Sequence, residues 1–233
     1  MQLDRSQLRI KIGDYATGSS AVLPNPRWLG YAQNYRRNSS ARMIPLDKQG
    51  LEHRMPNQDY HVSRKIDGEF AIVVFDDGEV ASVNPGGTVR VGLPFMEEAA
   101  ALLKAAGCEK TTLLAGEFYV DRADKKRPRV HDVSRVARNP DSVAQLQDLK
   151  FAVFDVIMWD GVEEIPKYDE VWKNISSAFA EGKLIKPVET VQLSKTKEIL
   201  AQFEAWVEDE GAEGLVARSD AAGIFKVKPR HTI

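Results

Sequence analysis

The stretch that most narrows the possible folds is residues 64–83, RKIDGEFAIVVFDDGEVASV. Two apolar runs flank Asp76-Asp77-Gly78, a sequence suited to the tight turn of a hairpin, so the segment reads as two strands folded back on each other. TTLLAGEFYV (111–120) and FAVFDVIMW (151–159) are apolar, β-branched or aromatic runs of strand length and read as buried strands. EGLVARSD (213–220) and the closing GIFKVKPRHTI read as two further short strands. Helical patterns interrupt them. LPFMEEAAALLKAAG has a proline near its start and Gly107 as its stop. In YDEVWKNISSAFAEG, Trp172, Ile175 and Phe179 share a face; in SKTKEILAQFEAWVEDEG, Ile199, Phe203 and Trp206 do. Strands and helices do not alternate regularly, which predicts an α+β fold of mainly antiparallel sheets flanked by helices. Residues 1–58, including PNPRWLGYAQNYRRNSSARMIP, are weakly periodic and read as an irregular, partly exposed segment packing on a main domain at 59–233.

The 233 residues suffice for one large domain or two small ones, and 43% hydrophobic with 28% charged residues is ordinary for a soluble protein. A net charge of −2 gives no global signal for nucleic acid, so a polyanion has to be held by local patches. One cysteine, Cys108, excludes an internal disulfide framework and a multi-cysteine zinc site and fits a reducing compartment. With no apolar leader pattern and no run of about 18 apolar residues, a cytoplasmic chain without membrane contact is expected. A phosphate-binding P-loop, a dinucleotide fingerprint, a HExxH zinc motif and a GxSxG elbow are all missing from the sequence. The four histidines, His53, His61, His131 and His231, are scattered and read as surface or loop residues rather than metal ligands.

Short charged motifs at strand ends remain. They are Lys65-Ile66-Asp67-Gly68, Gly116-Glu117, Phe154-Asp155, Glu213-Gly214 and Lys226-Val227-Lys228. Each alone is weak; five in this order, each beside an apolar strand, are far more specific. Their chemistry suits a nucleotide. A lysine among other cations can attack as a free amine. Carboxylates from separate strands suit Mg²⁺ (or Mn²⁺) arriving with phosphates. Lys226 and Lys228 are expected to diverge, one reaching into a cleft and the other bending round the edge. An aromatic ring on a neighbouring strand gives a base a surface for stacking. Asp67 is expected to shape the loop round Lys65. The segment DRADKKRPRVHDVSRVARNP (121–140) is basic and poor in apolar residues. Its Lys125, Lys126, Arg127, Arg129, Arg135 and Arg138 read either as a solvated loop or as a patch tracking a nucleic-acid backbone.

The ordered set resembles the covalent nucleotidyltransferase superfamily of ATP-dependent DNA ligases, RNA ligases and mRNA capping enzymes, from about Asp59 to Arg230. The resemblance implies a DNA ligase adenylation-domain fold, ATP-grasp-like, without the OB domain that normally follows, since the sequence ends soon after Lys228. It implies ATP and Mg²⁺ as cofactors, nucleic acid with nicked or broken DNA ends as partner, and a monomer. Lys65 in KIDG matches the adenylated lysine, with Asp67 and Gly68 beside the nucleotide. Glu117 in LLAGEF matches a glutamate that contacts ribose or metal, and Phe154 in FAVFDVI an aromatic that stacks on adenine. Glu213 in AEGLVAR matches a metal-serving glutamate; Lys226 and Lys228 in FKVKP match α-phosphate contacts. KLIKPVETV and the following helix resemble the run leading into the Glu213 motif. Two positions depart from the pattern. Phe70 stands where an arginine is frequent, and Ser82-Val83 replaces a Ser-Arg pair, leaving Arg90 as the nearest arginine. Only 12 residues separate Glu213 from Lys226, a spacing closer to some RNA ligases. The implied activity is that of an ATP-dependent polynucleotide ligase core of the DNA type; an RNA ligase, or a nucleic-acid-binding module that has lost its chemistry, are the alternatives.

Overall fold

The computed structural model describes residues 1–122, 129–163 and 165–230. Its elements, in chain order, begin with β1 (Arg9–Ile12), β2 (Tyr15–Ser19), α1 (Arg27–Arg42), β3 (Met43–Leu46) and α2 (Lys48–Arg54). The middle of the chain forms β4 (Tyr60–Lys65), β5 (Glu69–Asp76), β6 (Glu79–Val83), β7 (Thr88–Val91), α3 (Pro94–Ala105), β8 (Thr112–Tyr119), α4 (Val130–Arg138) and β9 (Lys150–Met158). It closes with α5 (Tyr168–Ala178), β10 (Ile185–Pro187), β11 (Thr190–Leu193), α6 (Thr196–Phe203), β12 (Gly214–Ser219) and β13 (Gly223–Val227).

Two sheets result. The larger has the order β1-β2-β7-β6-β5-β8-β9-β10, and the smaller β11-β4-β12-β13-β3. Only β9–β10 and β13–β3 pair in parallel, so the expected antiparallel α+β architecture is what the chain adopts. The β5–β6 hairpin turns at Asp77 and Gly78, both with positive φ (50° and 76°), the geometry whose strand twist suits a two-residue loop.

Each face of the large sheet carries its own core. Ala71, Val73, Leu114, Phe118, Phe151 and Val153 pack beneath α3, α4 and α5. Ile72, Val74, Val83, Leu113 and Ala115 alternate with them on the other face and meet Trp28 and Ala32 of α1. The small sheet buries one face, Tyr60, Val62, Leu215, Ala217, Phe225 and Val227, against α2 and α6. Its other face carries the alternating polar residues of β4, β12 and β13, and this face looks onto the cleft. This alternation, forced by the two-residue period of a strand, is what makes the cleft wall charged.

Three expectations need correction. Residues 1–58 are not irregular: β1 and β2 extend the large sheet, β3 joins the small one, and 24–45 contains the 16-residue α1. Its arginines, asparagines and serines hide a face of Trp28, Ala32 and Tyr35, and burial of that face stabilises a helix whose intrinsic propensity is weak. The basic segment 121–140 likewise holds α4, which buries Val133, Val136 and Ala137 while Arg129, Arg135 and Arg138 stay exposed; Lys125, Lys126 and Arg127 lie outside the described residues. Finally, His61 is not a surface or loop residue. It is buried on β4, hydrogen-bonded through Nε2 to Asp169 at 2.6 Å and packed edge-on to Tyr168; His231 lies outside the described residues.

Candidate nucleotide-binding cleft

A cleft of about 600 Å³ lies between the two sheets. Lys65, Asp67, Gly68 and Glu117 line it, and so do Phe154, Glu213, Lys226 and Lys228. The eight candidate residues, from five separate segments, therefore meet in one place.

The small sheet presents the charged wall. Lys65 ends β4 opposite Gly214 of β12, which puts its amine beside the residue just before, Glu213. The Glu213 carboxylate bridges two lysines, Lys65 Nζ at 3.1 Å from Oε2 and Lys228 Nζ at 2.9 Å from Oε1. Burial on its own would raise the Glu213 pKa; the hydrogen bond from Lys228 and the charge of Lys65 outweigh it and hold the group below its ordinary value. Lys226 has its pKa lowered, first by burial and then by the like charges of Lys228 and Lys65. The expected divergence of Lys226 and Lys228 is corrected: two positions apart on an extended chain share a face, and both line the cleft.

The large sheet presents the other wall. Phe70 of β5, Glu117 of β8 and Ala152 of β9 are aligned across three adjacent strands, and Phe154 follows on the same face two residues on. Glu117 Oε2 is inaccessible to solvent and has no hydrogen-bond partner. Burial pushes its pKa up to about 8; nearby Lys65 and Arg36 oppose that shift, Glu213 and Asp67 add to it. The turn leading in is tight. A Cβ on Gly68 would stand 1.9 Å from the Phe118 carbonyl oxygen, and one on Gly116 would stand 2.2 Å from that of Ala152. Glycine is required at both places by close backbone approach.

Several residues at this wall were not legible in advance. Tyr35 of α1 stacks on Phe70, centroids 5.4 Å apart and planes at 13°, and tilts toward Phe154 at 6.2 Å. Its hydroxyl donates to Asp155 Oδ2 at 2.6 Å. Arg218 of β12 is buried with its guanidinium 5.5 Å from the Phe154 ring centre and 5.0 Å from that of Tyr168, whose hydroxyl donates to the Phe154 carbonyl at 2.6 Å. Arg218 carried a signal, a cation inside the apolar alternation of EGLVARSD. Tyr35 carried none. Phe70 thus belongs to an aromatic wall, while Arg90 is committed elsewhere: it is buried, ion-paired with Glu69 and laid over the Phe118 ring on the opposite sheet face from Glu117.

The family model described as "ATP dependent DNA ligase domain" matches residues 47–232. The chain belongs to this family. Solved structures agree in fold with the ligase domain. One described as "Pmar-Lig_Pre" superposes with a TM-score of 0.59 at 14% identity, covering 81% of this chain and 46% of that one. A mycobacterial DNA ligase D complexed with ATP and MES gives 0.50 at 20% identity, covering 73% and 54%. A structure from a study of Lig E DNA ligases as minimal DNA-binding scaffolds gives 0.51 at 18% identity, covering 80% and 68%. The ligase domain thus spans about half the length of the first of these chains. No curated protein sequence matches it. Among the described residues no helix is long and apolar enough to cross a membrane.

Proposed function

We propose that this cleft binds ATP, transfers its AMP to Lys65, and passes the AMP to a 5′-phosphate at a nicked or broken DNA end so that a 3′-hydroxyl can seal the strand. The observation that carries the reading is the convergence of Lys65, Glu213 and Lys228 in one bridged cluster facing the Glu117–Phe154 wall. Adenine lies against Phe154, in the aromatic wall that Phe70 and Tyr35 continue. Lys65 Nζ, held by Glu213, gives up a proton to water and attacks the α-phosphorus. An N–P bond forms, the bond from the α-phosphorus to the bridging oxygen breaks, and pyrophosphate leaves. Lys226 and Lys228 face the charge that builds on the α-phosphate oxygens. A 5′-phosphate oxygen then displaces Lys65 from phosphorus, and the 3′-hydroxyl finally displaces AMP.

The residues fit a divalent cation. Glu117 offers a buried oxygen with no partner, and no group of three or more acidic, histidine or cysteine side chains is gathered among the described residues. That donor set suits Mg²⁺ or Mn²⁺, which take one or two carboxylates and complete their shell with phosphates and water. Glu117 and Glu213 would hold it, and it would neutralise phosphate charge. The working unit is a monomeric, cytoplasmic adenylation domain at 59–233, with 1–58 woven into both of its sheets.

The test is label transfer from α-labelled ATP in the presence of Mg²⁺. Wild-type protein should acquire a covalent label that pyrophosphate removes, and Lys65→Ala should acquire none while its circular dichroism is unchanged. A labelled Lys65→Ala protein would overturn the assignment. Nicked DNA and RNA duplexes offered to the adenylated protein decide the end it activates.

A further inference from the structure

The matched family segment begins at residue 47, yet the cleft does not. Its rim is completed by α1 through Tyr35, Arg36 and Ser39. Tyr35 fixes this helix at the cleft from two directions, by its stack on Phe70 and its hydrogen bond to Asp155. The register of α1 against the sheet is therefore set at the site itself, and the residue that follows is presented there.

That residue is Arg36. Its guanidinium makes no hydrogen bond or ion pair among the described residues. It is exposed at the rim, yet near enough to Glu117 to favour that group's charged form. Across the cleft stand Lys65, Lys226 and Lys228, with Glu213 already shared between two of them. A fourth cation facing these three is repelled until an anion lies between them. The inner lysines sit beside Lys65 and so face the reacting phosphate. Arg36, farther out, faces what extends beyond it.

We propose that α1 is part of the nucleotide site and that Arg36 binds the β- or γ-phosphate of ATP, an assignment that rests on the ATP-adenylation reading above.

The experiment is titration calorimetry of the full chain with α,β-methylene-ATP, which cannot be cleaved at the reacting bond, and with AMP in parallel. Arg36→Ala should weaken the triphosphate analogue about tenfold, the scale of one charge-assisted hydrogen bond, and leave AMP unchanged. Arg36→Lys should recover part of the loss. Arg36 is exposed, so the variants should melt with the wild type. Equal analogue binding by Arg36→Ala and wild type, an equal loss for AMP, or a loss seen only in binding nicked DNA would each overturn the proposal while leaving the adenylation reading intact. A wild-type protein that binds neither nucleotide would overturn both.

Discussion

The cleft sets two glutamates against each other under opposite conditions. Glu213, on the small-sheet wall, lies between two lysines and is held in its charged form. Glu117, on the large-sheet wall, is buried beside Phe70 and Phe154 with one oxygen unpartnered, and stays protonated to about pH 8. The residue type is the same and the distance to a lysine is short in both cases. What differs is whether the cation makes contact. Direct hydrogen bonds outweigh the cost of burial at Glu213, whereas charge acting without contact does not outweigh it at Glu117. One wall is thus electrostatically complete and orders the nucleophile. The other is unfinished and waits for a positive charge that arrives with the substrate.

The sharpest break in this contrast is removal of the complete side. Glu213→Ala leaves Lys65 and Lys228 facing each other with no shared anion, and Lys65 loses the contact that orients its amine. Single-turnover adenylation should slow by about 10²- to 10³-fold, the scale of a preorganised electrostatic contact in phosphoryl chemistry. A rate within a few-fold of wild type would show that the bridge is only structural. Next in size is Gly116→Ala. The new Cβ would meet the Ala152 carbonyl oxygen at 2.2 Å and the Phe151 ring at 2.5 Å, so β8 and β9 have to part beside Glu117. A loss of ~3 kcal/mol is expected from a urea unfolding midpoint, with none of the relief that a flexible neighbour would give. An unchanged midpoint would mean that the strands separate there without cost.

The two walls were not equally legible in the sequence. The charged wall was, because its residues sit in short motifs whose spacing fixes their place: Lys65 ends one strand, Glu213 starts another, and Lys226 with Lys228 share a face by the strand period. The expectation that those two lysines diverge failed on that same period. The hairpin at Asp77-Gly78 was legible for a similar local reason, the turn chemistry itself. The aromatic wall was half hidden. Phe154 and Glu117 lie in recognisable strands, but their alignment with Phe70 depends on which strands pair and in what register. Tyr35 was not legible at all. It comes from a helix whose polar composition reads as loop, and only the sheet it covers makes it helical.

Protonation offers a gentler way to separate the glutamates. For Glu117 the folded protein keeps a proton up to about pH 8 that the unfolded chain releases near 4.5. Between those values the unfolded state binds fewer protons, so this group makes stability fall as pH rises, by at most ~1.4 kcal/mol per pH unit. Glu213 has the opposite sign: its folded pKa is depressed, and its contribution is lost as pH falls below the ordinary carboxylate range. Urea unfolding of Glu117→Gln from pH 5 to 8.5 should therefore show a flatter dependence than wild type, while the acid-side loss persists. Parallel curves for the two proteins would place Glu117 in a solvated setting.

The smallest expected effect probes how the unfinished wall is held. Tyr35→Phe keeps the ring that stacks on Phe70 and deletes only the hydroxyl that donates to Asp155. Asp155 keeps the Val156 amide on its other oxygen and the charge of buried Arg218 nearby, so the carboxylate is not stranded. The loss should be about 1 kcal/mol, the net worth of a single hydrogen bond whose acceptor retains other partners. Adenylation should slow far less than in Glu213→Ala, because the stack that shapes the wall survives. A stability loss above ~3 kcal/mol, measured by urea unfolding, would mean that the hydroxyl and not the ring anchors α1. The contact between α1 and the large sheet would then be polar at its centre, and the aromatic wall a consequence of it rather than its cause.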